Sequence, residues 1–139
     1  MTLDNYLQET AALATLAGIL AGFAISAVIQ LLSTNKEGKL TTATIVTFSA
    51  STMMFLYPLI VFVLLFAAAA ETNAIPKQLD GLGNGALVVI LGAVFLFLAG
   101  LALAGWIRSK ATGIATTVLA LIAMCLTGIA IVSIFSVFM

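Results

Sequence analysis

The chain has 139 residues, 63% hydrophobic and only 7% charged. So few charges cannot cover the surface of a water-soluble domain, and a membrane-embedded protein is the class that fits. Lys plus Arg number 5 and Asp plus Glu number 5, which leaves no basic excess for a phosphate backbone and excludes nucleic acid as a partner. One cysteine and no histidine exclude a disulfide framework, a zinc site of the usual ligands and any mechanism with imidazole as base. No catalytic residues, cofactor or metal are expected, and the chain is not read as an enzyme.

Apolar runs long enough to cross a bilayer, about 20 residues each, are separated by the ten charges. The first covers about residues 11–32, the second 42–70, the third 86–107 and the fourth 111–138. Between them lie STNKEGKL at Ser33 to Leu40, ETNAIPKQLDGLGNG at Glu71 to Gly85 and RSK at Arg108 to Lys110, whose Gly, Asn and Pro mark turns. No run alternates polar with apolar as a barrel wall must, so the spans are helices. The expected architecture is all-α: a polytopic membrane protein whose four transmembrane helices form one membrane domain over residues 1–139. The first run lacks a basic leader and is longer than the core of a secretory signal, so it is expected to remain as a helix. Pro58 predicts a kink in the second helix.

No Asp, Glu, Lys or Arg falls inside a span, which argues against a proton-coupled antiporter or a small multidrug-type transporter. The first helix carries the clearest pattern. Thr15, Ile19, Gly22, Ser26 and Gln30 follow one another at steps of four, three, four and four, and so share one face of a 3.6-residue period. A pore stripe has this form. A second reading uses the same helix: Ala14, Gly18, Gly22 and Ser26 form a small-residue ridge that lets helices approach closely in lipid. Glu9 and Gln30 are 21 residues apart, about 31 Å at about 1.5 Å per residue, which places them near opposite membrane faces.

Other features have structural readings. GLGNG at Gly81 to Gly85 follows no strand and has no Lys partner, so it reads as a flexible lead-in to a helix rather than a phosphate loop. Trp106 with Arg108 and Lys110 forms an interfacial anchor. Cys125 reads as a small packing residue, Met53 and Met54 as core filler rather than a copper site. Ser49, Ser51 and Thr52 are expected to bond carbonyls of their own helix.

Several of these segments resemble the Orai calcium-channel family. GFAISAVIQ at Gly22 to Gln30 is similar to that family's pore helix, with Gln30 at the position of its filter glutamate. IVTFSASTMMFLYPLIVF at Ile45 to Phe62 and GAVFLFLAGLALAGWIR at Gly92 to Arg108 resemble its second and third helices. ATGIATTVLALI, from Ala111, is similar to the fourth in composition. The likeness is that of a distant, minimal, prokaryotic-like four-helix member. It implies a homo-oligomeric, cation-permeable ion channel in a plasma or inner membrane, a ring of identical subunits with the first helix innermost. Gln30 then stands at the filter, Ser26, Phe23 and Gly22 line the section beside it, Ile19 lies a turn further on, and Thr15 replaces a basic residue. Gly18 and Gly22 serve close packing of the first helices. The alternative is a non-conducting tetraspan subunit or scaffold that docks partner membrane proteins.

Three departures qualify the likeness. A glutamine ring offers amide dipoles where a glutamate ring offers charge and hard oxygens, which disfavours strong calcium selectivity. The family's basic stretch before its first helix and its helical tail, which receive an endoplasmic-reticulum calcium sensor, have no counterpart in these residues, and gating by that partner is not expected. Lys36, Lys39, Arg108 and Lys110 flank one side of the bundle and Lys77 the other. The positive-inside rule therefore puts both termini outside, where the family has them inside.

Overall fold

Lipid offers no partner to a backbone N–H or C=O, so each apolar run satisfies its own groups as a helix. The computed structural model describes residues 2–33 and 38–138. Its helices are α1 (Leu3–Ser33), α2 (Lys39–Thr72), α3 (Asp80–Arg108) and α4 (Lys110–Phe138), with one 3-10 turn at Lys77–Leu79. No strand occurs among the described residues. All four helices are long and apolar enough to cross a membrane, and the chain is an all-α, four-helix integral membrane protein. Each helix runs beyond its apolar stretch, because polar residues at the headgroup level continue the backbone ladder while their side chains stay in water. Lys36 lies outside the described residues.

The helices pack in chain order: α1 along α2, α2 along α3 and α3 along α4. Short connections make neighbours antiparallel. Ala14 of α1 meets the level of Leu65 in α2 and Ile90 in α3, and Ala21 the level of Phe55 and Ala93. Lipid tails are as apolar as leucine, so this association depends on close van der Waals fit and on bonds between helices rather than on a hydrophobic drive. Alanines on α1 supply the fit. Ala14, Ala17, Ala21 and Ala24 are all buried, and bulky α2 residues such as Phe55, Phe62 and Leu65 fill the space opposite. Between α2 and α3, Phe97 meets Phe48 and Phe55 edge-on, with ring centroids 5.6 and 6.4 Å apart. This is the favoured geometry of aromatic quadrupoles. α2 passes unbroken through Pro58, which is fully buried.

Polar side chains in α2 divide between two kinds of partner. Thr44 and Thr52 donate to carbonyls of their own helix, Leu40 O at 2.8 Å and Phe48 O at 2.9 Å. Ser51 departs from the expectation: its hydroxyl donates across the interface to Ala93 O of α3, at 3.2 Å. The small residue at 93 lets α3 come near enough to present its carbonyl, and a bond between helices results. The segment 81–85 is already helical, forming the first turns of α3. Asn73, left-handed at φ 52°, closes α2, and Pro76 follows three residues on, where the chain has left the helix.

α3 and α4 are joined by a single extended residue, Ser109. Its hydroxyl accepts from the Thr112 N–H at 3.2 Å, capping α4. Two glycines make so tight a hairpin possible. A Cβ at Gly105 would run into the Thr116 side chain, and one at Gly113 into the Trp106 ring. Trp106 in turn donates its indole N–H to Thr117 Oγ1 at 2.7 Å, so the expected interfacial anchor also ties α3 to α4. Gly113→Ala is expected to destabilise the bundle by about 1–3 kcal/mol, the usual penalty of overpacking, measured as a lower midpoint of unfolding in detergent. An unchanged midpoint would show that Trp106 moves aside freely.

Candidate functional site

Helix α1 has two unlike faces. At about 100° per residue, the buried positions Thr10, Ala14, Ala17, Ala21 and Ala24 line one side. Thr15, Ile19, Gly22, Phe23, Ser26 and Gln30 fall on the opposite side, and every one of them is exposed. Ile19 is 53% and Phe23 61% exposed, and a Cβ built at Gly22 would meet nothing within 4 Å. The six residues singled out from sequence therefore form one continuous surface, turned away from the rest of the chain.

The small-residue ridge is divided by the fold. Ala14 is buried, and Gly18 lies half-buried beside Leu59, whose Cδ1 would sit 3.7 Å from an added Cβ. Gly22 and Ser26 are exposed. Within the chain, close packing of α1 therefore uses the alanines at 14, 17, 21 and 24. Any close approach at Gly22 is made with something outside it.

Two residues belong to the outward face that the sequence reading left out. Gln8 and Ser33 are exposed and lie seven residues before Thr15 and seven after Ser26. A seven-residue step returns to nearly the same side of a helix, and continuing the pattern past the apolar run is the signal that finds them. With them the outward face carries polar groups toward both ends of α1, while residues 16–25 between Thr15 and Ser26 are apolar or glycine. The hydroxyls are internally bonded: Thr15 donates to Ala11 O and Ser26 to Gly22 O, each at 2.8 Å, and Ser33 to Ile29 O at 2.7 Å. Their oxygens keep acceptor capacity toward whatever lies beyond the face.

α4 is the contrasting surface. It is the least buried of the four helices, and its outward residues are mostly aliphatic, among them Leu119, Ile122, Leu126, Ile129 and Val132, with Ser133 and Ser136 exposed toward its end. Cys125 lies on this exposed surface rather than in a packed interior. Such a face suits lipid.

A second polar region lies at the end of the bundle that holds the start of α1 and the α2–α3 connection. Tyr6, Glu9, Lys77, Asp80 and Asn84 line a hollow there of about 460 Å³. Asp4 and Glu71 belong to the same end, so four of the five acids in the chain gather there with one lysine. Lys39, Arg108 and Lys110 stand at the opposite end. Glu9 lines the hollow rather than the outward face of α1. Among the described residues, no three His, Cys, Asp or Glu side chains gather in a way that would hold a metal ion.

Comparison of the chain with protein-family models, curated proteins and solved structures gives no match.

Proposed function

We propose that the chain is the subunit of a homo-oligomeric, Orai-like, cation-permeable pore, with α1 innermost and α4 toward lipid. One observation carries the reading: Gln8, Thr15, Ser26, Gln30 and Ser33 of α1 face away from the chain, on the helix side opposite the one that packs on α2. In a monomer that face would lie against lipid, with its hydroxyls bonded only to their own helix. In a ring the faces meet around an axis and line a wet path. Gln30 supplies a ring of amides, Ser26 and Thr15 rings of hydroxyls, and Ile19 with Phe23 an apolar constriction of the kind that gates by dewetting. The packing order suits this arrangement, since α1 and α4 occupy its two ends. A permeant cation is the substrate, and a plasma or inner membrane the location.

The second reading, a non-conducting tetraspan scaffold, uses the same face to dock a different membrane protein. Mass measurement of the detergent-solubilised protein separates the two. A closed ring of several identical chains is expected, and Gly22→Leu, which puts a bulky side chain where the helices meet, is expected to shrink or scatter it. A monomer in every mild detergent, or a ring that tolerates Gly22→Leu with cation flux unchanged, would end the pore reading.

A further inference from the structure

Besides the polar hollow, Glu9 borders an apolar groove of about 430 Å³, with Asn84 beside it and Leu87, Leu91, Ile131, Ile134 and Phe135 as the remaining walls. Three helices build it: α1 supplies the acid, α3 the amide and two leucines, and α4 the rest. Its polar and apolar parts differ in depth. Glu9 and Asn84 each stand two residues before the apolar run of their own helix, at the headgroup level. Leu87 and Leu91 follow Asn84 by three and seven residues, about 4.5 and about 10 Å deeper along α3 at about 1.5 Å per residue. No basic residue borders this groove. Lys77 lines the polar hollow with Glu9, yet no salt bridge joins the two, and the carboxylate keeps its acceptor capacity.

A carboxylate at the head of a hydrocarbon-walled groove suits a cation whose hydrocarbon begins at the charged atom. We propose that the groove binds a hydrophobic primary amine, its ammonium on Glu9 and the Asn84 amide oxygen and its chain down along Leu87, Leu91 and Ile131. An ammonium donates three hydrogen bonds, and the one to the carboxylate is charge-assisted. Lipid tails are as apolar as the groove walls, so the chain alone gains little and the charge decides what is held. A zwitterionic phospholipid fits badly, because its phosphate falls between ammonium and hydrocarbon, where the groove offers no cation. A fatty acid would set like charge against Glu9. The groove lies within one chain, and the proposal does not depend on the pore reading.

The test is binding of tritiated dodecylamine to the assembled protein in phosphatidylcholine nanodiscs, with empty nanodiscs as the blank. Saturable binding is expected. Unlabelled dodecylamine should displace the label at about one tenth the concentration needed of dodecanol, which has the same chain and no charge, a ratio within reach of one charge-assisted hydrogen bond. Dodecanoate should compete no better than dodecanol. Glu9→Gln is expected to bring amine and alcohol within about twofold of each other, as the loss of that bond requires, with helicity and assembly mass unchanged. Glu71→Gln removes a carboxylate of the same end that does not border the groove, and should leave the ratio in place. Ile134→Trp, at an exposed wall position, should weaken amine and alcohol alike. Equal potency of amine and alcohol on the unaltered protein overturns the proposal, as does the absence of saturable binding above the blank. So does a preference that survives Glu9→Gln, a preference lost equally in Glu71→Gln, or amine binding that Ile134→Trp leaves untouched.

Discussion

Gln30→Glu is expected to turn the proposed pore toward divalent cations. The proposed ring of amides presents dipoles only, and the substitution adds a full negative charge for every subunit at the same exposed position. At about 4 Å in water, one carboxylate attracts a monovalent ion by about 1 kcal/mol and a divalent ion by about twice that. Each subunit thus adds about 1 kcal/mol in favour of the divalent ion, and two or three exceed the about 1.4 kcal/mol that makes a tenfold ratio. Dehydration of the divalent ion opposes this and sets the size of the final shift. Flux into liposomes, with calcium and sodium offered in turn, measures the ratio before and after. A ratio that moves by less than about twofold, far below what that electrostatic sum allows, removes Gln30 from the filter.

The second expectation is all-or-none. Four spans place both termini and the α2–α3 connection on one side of the membrane, and the other two connections on the opposite side. Lys39, Arg108 and Lys110 stand at one end of the bundle, and Asp4, Glu9, Glu71 and Asp80 at the other, with Lys77. The positive-inside rule counts Lys and Arg, and it assigns the end bearing Lys39 and Arg108 to the cytoplasm. In a background carrying Cys125→Ala, a cysteine at Asn73 should therefore react with an impermeant thiol reagent added outside intact cells, while one at Ser33 should not. Labelling at Ser33 alone would reverse the orientation and put Gln30 at the outer mouth, where the Orai family keeps its filter.

The number of helices, their order and their nature as membrane spans were legible in the chain before any packing is considered. Each is a local matter: a segment such as 86–107 carries no charge to keep it in water, and in lipid only a helix satisfies its backbone. The polar face of α1 was legible for the same reason, since helical period alone brings Thr15, Ser26 and Gln30 together. What a helix turns toward its neighbours is not local. Both sides of α1 bear small residues, and only the side chains across the interface, Phe55, Phe62 and Leu65 of α2, decided that the alanines face inward and Gly22 outward. The same holds for Ser51, which had a carbonyl of its own helix in reach and took Ala93 O because α3 approaches there. The hollow shared by Glu9 and Asn84 depends on contact between residues about 75 positions apart in the chain. No periodicity encodes that distance, because packing in lipid is selected by shape and by bonds between helices, and shape exists only once the helices have met.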